Sequence, residues 1–167
     1  VRALTPVVAC RARVRGAAGG LVYSSSRNPD RRHGIKFFRR DESQLPDEFE
    51  DVIAGFVGAR RSWRRPTGGD VGSSLPIADA VERYVSHAIS TVPDGLVGLR
   101  AAVDCGHGAA SLTTVTALER VGVEVHALNC EWNGTDINED CGSTHLGPLQ
   151  DLMTTGEYDI GIAHDGD

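Results

Sequence analysis

Leu99-Arg100-Ala101-Ala102-Val103-Asp104-Cys105-Gly106-His107-Gly108 is the stretch on which the fold turns. Its first seven residues are mostly apolar, and Gly-His-Gly then supplies a tight turn. This pattern predicts a strand over 99–105 and a helix over 109–121. The alternation continues downstream with a strand over 123–128, a helix over 146–155 and a strand over 158–163. Such βαβαβ runs build a parallel sheet with right-handed crossovers and helices on its faces. The last strand, Tyr158–Ala163, reads as buried and leads into Asp165-Gly166-Asp167 at its C-terminal end, where open α/β sheets bind ligands. Two carboxylates one glycine apart are hard oxygen ligands that suit Mg2+. The plain alternative is an Asp-Gly turn after a strand.

Working back towards the start, the pattern is less regular. Thr5-Pro6 opens a helix to about Val14, with Thr5 as its N-cap and Pro6 at the first helical position. Gly20–Ser24 reads as a strand, Ser24-Ser25-Ser26-Arg27-Asn28-Pro29 as a turn, and Ile35–Phe38 as a second strand. Pro46 to Asp51 begins another helix, whose acidic first turn suits the helix dipole. Phe49, Val52, Ile53, Phe56 and Val57 make its one apolar face. Residues 59–76 are polar and rich in Gly, Arg, Pro and Ser, as in a surface loop or linker. A helix over 77–89 follows, with Ile77, Val81, Tyr84, Val85 and Ala88 on one side. Pro93-Asp94-Gly95 supplies a turn, so the chain is divided into units 1–92 and 93–167.

Seventeen basic against 23 acidic residues give a net charge of −6 over 167 residues, so no nucleic-acid partner is expected. The local clusters Arg11–Arg15, Arg31–Arg40 and Arg60–Arg65 are solvated faces or, beside a phosphate site, a means of attracting a sugar phosphate. Cys10, Cys105, Cys130 and Cys141 form no CxxC pair, which argues against a zinc site or a disulfide framework and for a reduced, cytoplasmic setting. No apolar stretch approaches the roughly 20 residues that cross a bilayer, so no membrane partner is expected. Oligomeric state is not legible. Val1, and Leu4-Thr5-Pro6 after it, read as the middle of a longer protein.

Four collinear segments carry a family resemblance. Ser24-Ser25-Ser26-Arg27-Asn28-Pro29 followed by Gly34-Ile35-Lys36-Phe37-Phe38 resembles the phosphoserine loop of the α-D-phosphohexomutases, and Asp165-Gly166-Asp167 resembles the start of their Asp-Gly-Asp-x-Asp-Arg metal loop. Asn133-Gly134-Thr135-Asp136-Ile137-Asn138 and Cys141-Gly142-Ser143-Thr144-His145-Leu146 are similar to the phosphoglucosamine mutase branch. The resemblance implies α/β domains of three α/β/α layers with mixed or parallel sheets, truncated at both ends, so that the chain is a central fragment. It also implies interconversion of glucosamine 6-phosphate and glucosamine 1-phosphate through a phosphoserine and a bisphosphorylated sugar. Alternatives are a phosphomannomutase or phosphoglucomutase of the same superfamily, or a folded remnant without turnover.

The resemblance further implies roles for particular residues. Ser26 is the phosphoserine. Ser26, through its phosphate, joins Asp165 and Asp167 in holding Mg2+, and the substrate is a hexosamine phosphate. Arg27 stands where the family has His; it is always charged and cannot carry a proton near neutral pH, but it can clamp a phosphate. Lys36 is either a cation or general base near the phosphoserine, or a solvent-facing strand lysine. In the family the turn over 104–109 is structural, although its helix N-terminus could by itself attract anions. His107 and His164 are expected to flank the cleft as packing or surface residues. The residues that bind substrate directly are not legible, and the chain by itself is expected to lack turnover.

Overall fold

The computed structural model describes residues 4–24, 34–59 and 66–167. Helix α1 (Thr5–Val14) leads into an antiparallel hairpin, β1 (Gly19–Ser24) with β2 (Gly34–Arg39). Then come helices α2 (Asp47–Gly58) and α3 (Ala80–Ser90). The second half runs β3 (Arg100–Asp104), α4 (Thr114–Arg120), β4 (Glu124–Leu128), α5 (Gly147–Met153) and β5 (Ile160–Ala163). Strands β3, β4 and β5 form one parallel sheet in the order β4-β3-β5. The βαβαβ expectation therefore holds. One difference is that a short 3-10 turn, Ala109–Leu112, precedes α4 where a continuous helix is expected.

The central strand explains the layers. Ala101, Ala102 and Val103 of β3 are each at most 1% exposed, because both faces of the strand are covered. Ala101 and Val103 join a core with Leu4, Val7, Ala80 and Val123. On the opposite face, Ala102 is level with Gly161 of β5, whose missing side chain leaves room for Met153 and Leu149 of α5. Helices thus lie on both faces of the parallel sheet. Strand β5 is not the buried strand expected from its sequence. Among the described residues it pairs only with β3, and Ile160 remains 48% exposed.

The hairpin is covered on one face. Gly20 lets α1 approach closely, with Val8 and Ala12 within 3.5 Å of where a Cβ would stand. Its other face presents Leu21, Tyr23 and Ile35 to solvent. The helix α2 buries no residue among those described, so its apolar stripe is formed but left largely exposed. Helix α3 behaves as expected: Val85 is 1% exposed, and Glu82 accepts two hydrogen bonds from Arg120 of α4, at 2.6 and 2.9 Å. Buried side chains from both sides of residue 92 share the core described above. No described helix is long and apolar enough to cross a membrane.

Candidate functional site

Hairpin register decides where Lys36 goes. Residues directly opposite in an antiparallel pair share a face. Lys36 is opposite Val22, which is 8% exposed, so it lies on the side covered by α1. There its ammonium forms an ion pair with Asp167 Oδ2; the Asp167 side chain is only 10% exposed. The Lys36 side chain is thus turned to the covered face and is 32% exposed. Thr5 Oγ1 donates to the same carboxylate oxygen at 3.2 Å. Thr5 is not the N-cap expected from sequence. Leu4 holds that position with extended backbone, and Thr5 is the first helical residue, with its hydroxyl turned to Asp167.

The loop that carries Asp165 and Asp167 is clamped from behind by two turns. Asp104, fully buried at the end of β3, accepts from Gly106 N–H at 2.9 Å and from Gly142 N–H at 3.0 Å. Its carbonyl accepts from His164 N–H at 2.9 Å, and His164 O accepts from Ser143 N–H at 2.8 Å. The buried Asp104 carboxylate thus ties the turn after β3 to the segment before α5, and its backbone carbonyl holds the end of β5. Gly108 lies directly on Gly166, where a Cβ would come within 2.4 Å of its backbone, and Ala109 N–H donates to Gly166 O at 3.1 Å. That N–H, the first of the turn's helical donors, is thus taken up by the loop. On the other side, Asn138 Nδ2 donates to Asp165 Oδ1 at 3.0 Å, and Gly166 N–H donates to the same oxygen at 2.8 Å. Asn138 and Asp140 adopt left-handed backbone, a conformation Asn and Asp tolerate better than most residues.

His107 and His164 differ in role. The His107 ring meets Glu131 O at 3.1 Å, which fixes it to the turn after β4. The His164 ring borders a cavity of about 320 Å3 with Asp167, Thr113 and Tyr84. Burial pushes its pKa down, against an opposing pull from Asp104. Among the thiols, burial first, and then Cys130, raise Cys105 to about 12; burial first, and then Asp104, raise Cys141 to about 11.

Of the residues expected at the site, Lys36, Asp165 and Asp167 fall at one end of the fold. Ser26 and Arg27 lie outside the described residues. The hairpin pair nearest to them is Ser24 opposite Gly34, with Lys36 two residues beyond. Among the described residues no three His, Cys, Asp or Glu are grouped to hold a metal. The two aspartates are hard donors at the C-terminal end of a parallel strand, and Asp167 already engages a cation, so they fit part of an Mg2+ shell in kind. Thr5, Asp104 and Asn138 were missed as supports. Asn138 carried a signal, since it belongs to a segment of the family resemblance; Thr5 and Asp104 are brought in only by long-range contacts.

Residues 2–62 match the family described as phosphoglucomutase/phosphomannomutase, alpha/beta/alpha domain I. A phosphoglucosamine mutase of Rhodococcus jostii (strain RHA1) is 42% identical over 98% of this chain and 37% of its own length. One of Symbiobacterium thermophilum is 48% identical over 89% of this chain and 33% of its own length. The chain therefore spans about a third of the curated relatives it matches. Two solved structures share the fold. A phosphoglucomutase/phosphomannomutase family protein of Burkholderia thailandensis has a TM-score of 0.71 at 24% identity, over 99% of this chain and 37% of that one. A protein described as a putative phosphomannomutase, from Thermus thermophilus, has a TM-score of 0.73 at 20% identity, over 98% of this chain and 38% of that one. The matches thus show that residues 2–62 carry the phosphoglucomutase/phosphomannomutase alpha/beta/alpha domain I and that nearly the whole chain is similar to about a third of a phosphoglucosamine mutase.

Proposed function

We propose that this chain supplies the phosphoserine and part of the Mg2+ site of a cytoplasmic phosphoglucosamine mutase, which interconverts glucosamine 6-phosphate and glucosamine 1-phosphate. The observation that carries the reading is the ion pair between Lys36 and Asp167, residues 131 positions apart. It joins the exit of the serine segment to the Asp-Gly-Asp loop. The units 1–92 and 93–167 then each contribute one side of the site. In this reading Asp165, Asp167 and the phosphate on Ser26 would hold Mg2+, which when bound would supply positive charge to offset that of the phosphoryl group.

The protein's own groups do the rest. The Ser26 Oγ–P bond breaks as a bond forms from phosphorus to the sugar's free hydroxyl oxygen, and the hydroxyl proton leaves to a base. The phosphate at the other position then returns to Ser26. Lys36, paired with Asp167, is placed as a cation at the serine segment's exit. Thr5 and Asn138 orient the two carboxylates. The free cysteines accord with a cytoplasmic setting.

Peptide mass spectrometry of a full-length protein carrying this chain is expected to find one stable phosphate, on Ser26. Phosphate on Ser24 instead, or on no serine of the loop, overturns the assignment. A coupled assay is expected to show turnover of glucosamine 6-phosphate well above mannose or glucose 6-phosphate; the reverse order selects a phosphomannomutase or phosphoglucomutase. Arg27 favours a second reading, a folded remnant without turnover. Arg27→His is expected to raise mutase activity at least ~10-fold, about 1.4 kcal/mol of barrier. A fixed cation beside the phosphoserine stabilises resting and transition states alike, and uniform stabilisation does not speed chemistry. Equal rates for the two proteins remove the case against Arg27.

A further inference from the structure

Arg11 is left unused by the mutase reading. It lies on the inward side of α1 and is 7% exposed, yet its Nε has no hydrogen-bond partner. A carboxylate of Asp79 stands 4.0 Å from the guanidinium, and that carboxylate is also bonded by Arg83. Arg15, one helical turn further along, borders the same cavity of about 320 Å3. The cavity persists because its walls include Gly19, Gly20 and Ala80, which have little or no side chain to fill it. A guanidinium cannot shed its charge on burial, and the one carboxylate near Arg11, at 4.0 Å, is shared with Arg83 and leaves Nε unbonded. Two arginines thus line one cavity, Arg11 buried and Arg15 exposed, and the guanidinium group suits planar, two-pronged recognition of oxyanions.

We propose that this cavity, between α1, the start of β1 and the entry to α3, binds a phosphate group held by Arg11 and Arg15. The site is separate from the one at Lys36 and Asp167. Arg11 is six residues beyond Thr5, roughly 9 Å along the helix, and Gly19–Gly20 is the end of β1 away from Ser24. Phosphate here would link α1, the hairpin and α3 without touching the serine segment. The inference does not depend on the mutase reading.

Thermal denaturation of the 167-residue chain tests it, with inorganic phosphate and glycerol phosphate each compared with chloride at equal ionic strength. Inorganic phosphate is expected to raise Tm by roughly 3 °C at ten times its dissociation constant. Arg11→Met and Arg15→Gln are expected to lose that shift, and Lys36→Ala to keep it. An equal shift with glycerol phosphate identifies an organic phosphate ester as a ligand; a shift with inorganic phosphate alone identifies the free ion. A phosphate effect no larger than that of chloride overturns the proposal. So does a shift that survives Arg15→Gln, which serves if Arg11→Met does not fold, or one that Lys36→Ala abolishes.

Discussion

Removing the Asp104 carboxylate is expected to loosen two segments at once, the turn after β3 and the segment before α5. The Gly106 and Gly142 N–H groups would be left buried without their charged acceptor, at about 1–3 kcal/mol each. Urea denaturation of Asp104→Ala is therefore expected to show a loss of about 3 kcal/mol, and a loss under ~1 kcal/mol would mean that water replaces the carboxylate freely. Gly108 gives a steric counterpart, since a methyl group there would meet Gly166 backbone at 2.4 Å. Gly108→Ala should lower stability by about 2 kcal/mol or more, while Gly72→Ala, which meets nothing within 4 Å, should stay within about 0.5 kcal/mol. Thermal melts of the pair check both. At this scale the sequence showed which residues carry charge but not which ones face each other. Lys36 was readable as either a site cation or a surface lysine, because strand alternation gives two faces and only the partner strand says which is covered.

Two helices with the same kind of apolar stripe have opposite fates. Val85 of α3 is 1% exposed and Val57 of α2 is 71% exposed. Val85→Ala is expected to cost about 2 kcal/mol through lost contacts and the cavity left behind, whereas Val57→Lys should change stability by no more than about 0.5 kcal/mol. Chemical denaturation of the two variants separates them, and a large cost at Val57 would show that the stripe is covered in solution. Periodicity placed both helices within a few residues, because a 3.6-residue repeat depends on local sequence alone. It did not show what each stripe meets. The same limit explains β5: an apolar run identifies a strand, but a central place and an edge place differ only in the neighbours that topology supplies.

For the molecule as a whole, the parallel sheet was legible because alternating strands and helices admit few arrangements. The joining of the hairpin to the sheet was not, since no local pattern encodes it. The assembled fold also sorts the four thiols. Cys105 and Cys141 are buried, with pKa values pushed up to about 12 and about 11, while Cys10 and Cys130 are partly exposed. A disulfide reagent at pH 8 is expected to modify Cys10 and Cys130 first, with Cys105 and Cys141 reacting only on unfolding; peptide mapping reads the order, and early labelling of Cys105 would contradict this packing. The contacts that meet at Asp167 also set an order of assembly. Thr5 lies 162 positions away and Lys36 131. Synthesis runs from Thr5 towards Asp167, so α1 and the hairpin must wait through every intervening element before the carboxylate they hold leaves the ribosome. Contacts closing loops this long form late and slowly. A nascent chain whose residue 167 is still inside the ribosome can therefore form the hairpin but not the contacts of Thr5 and Lys36 with Asp167.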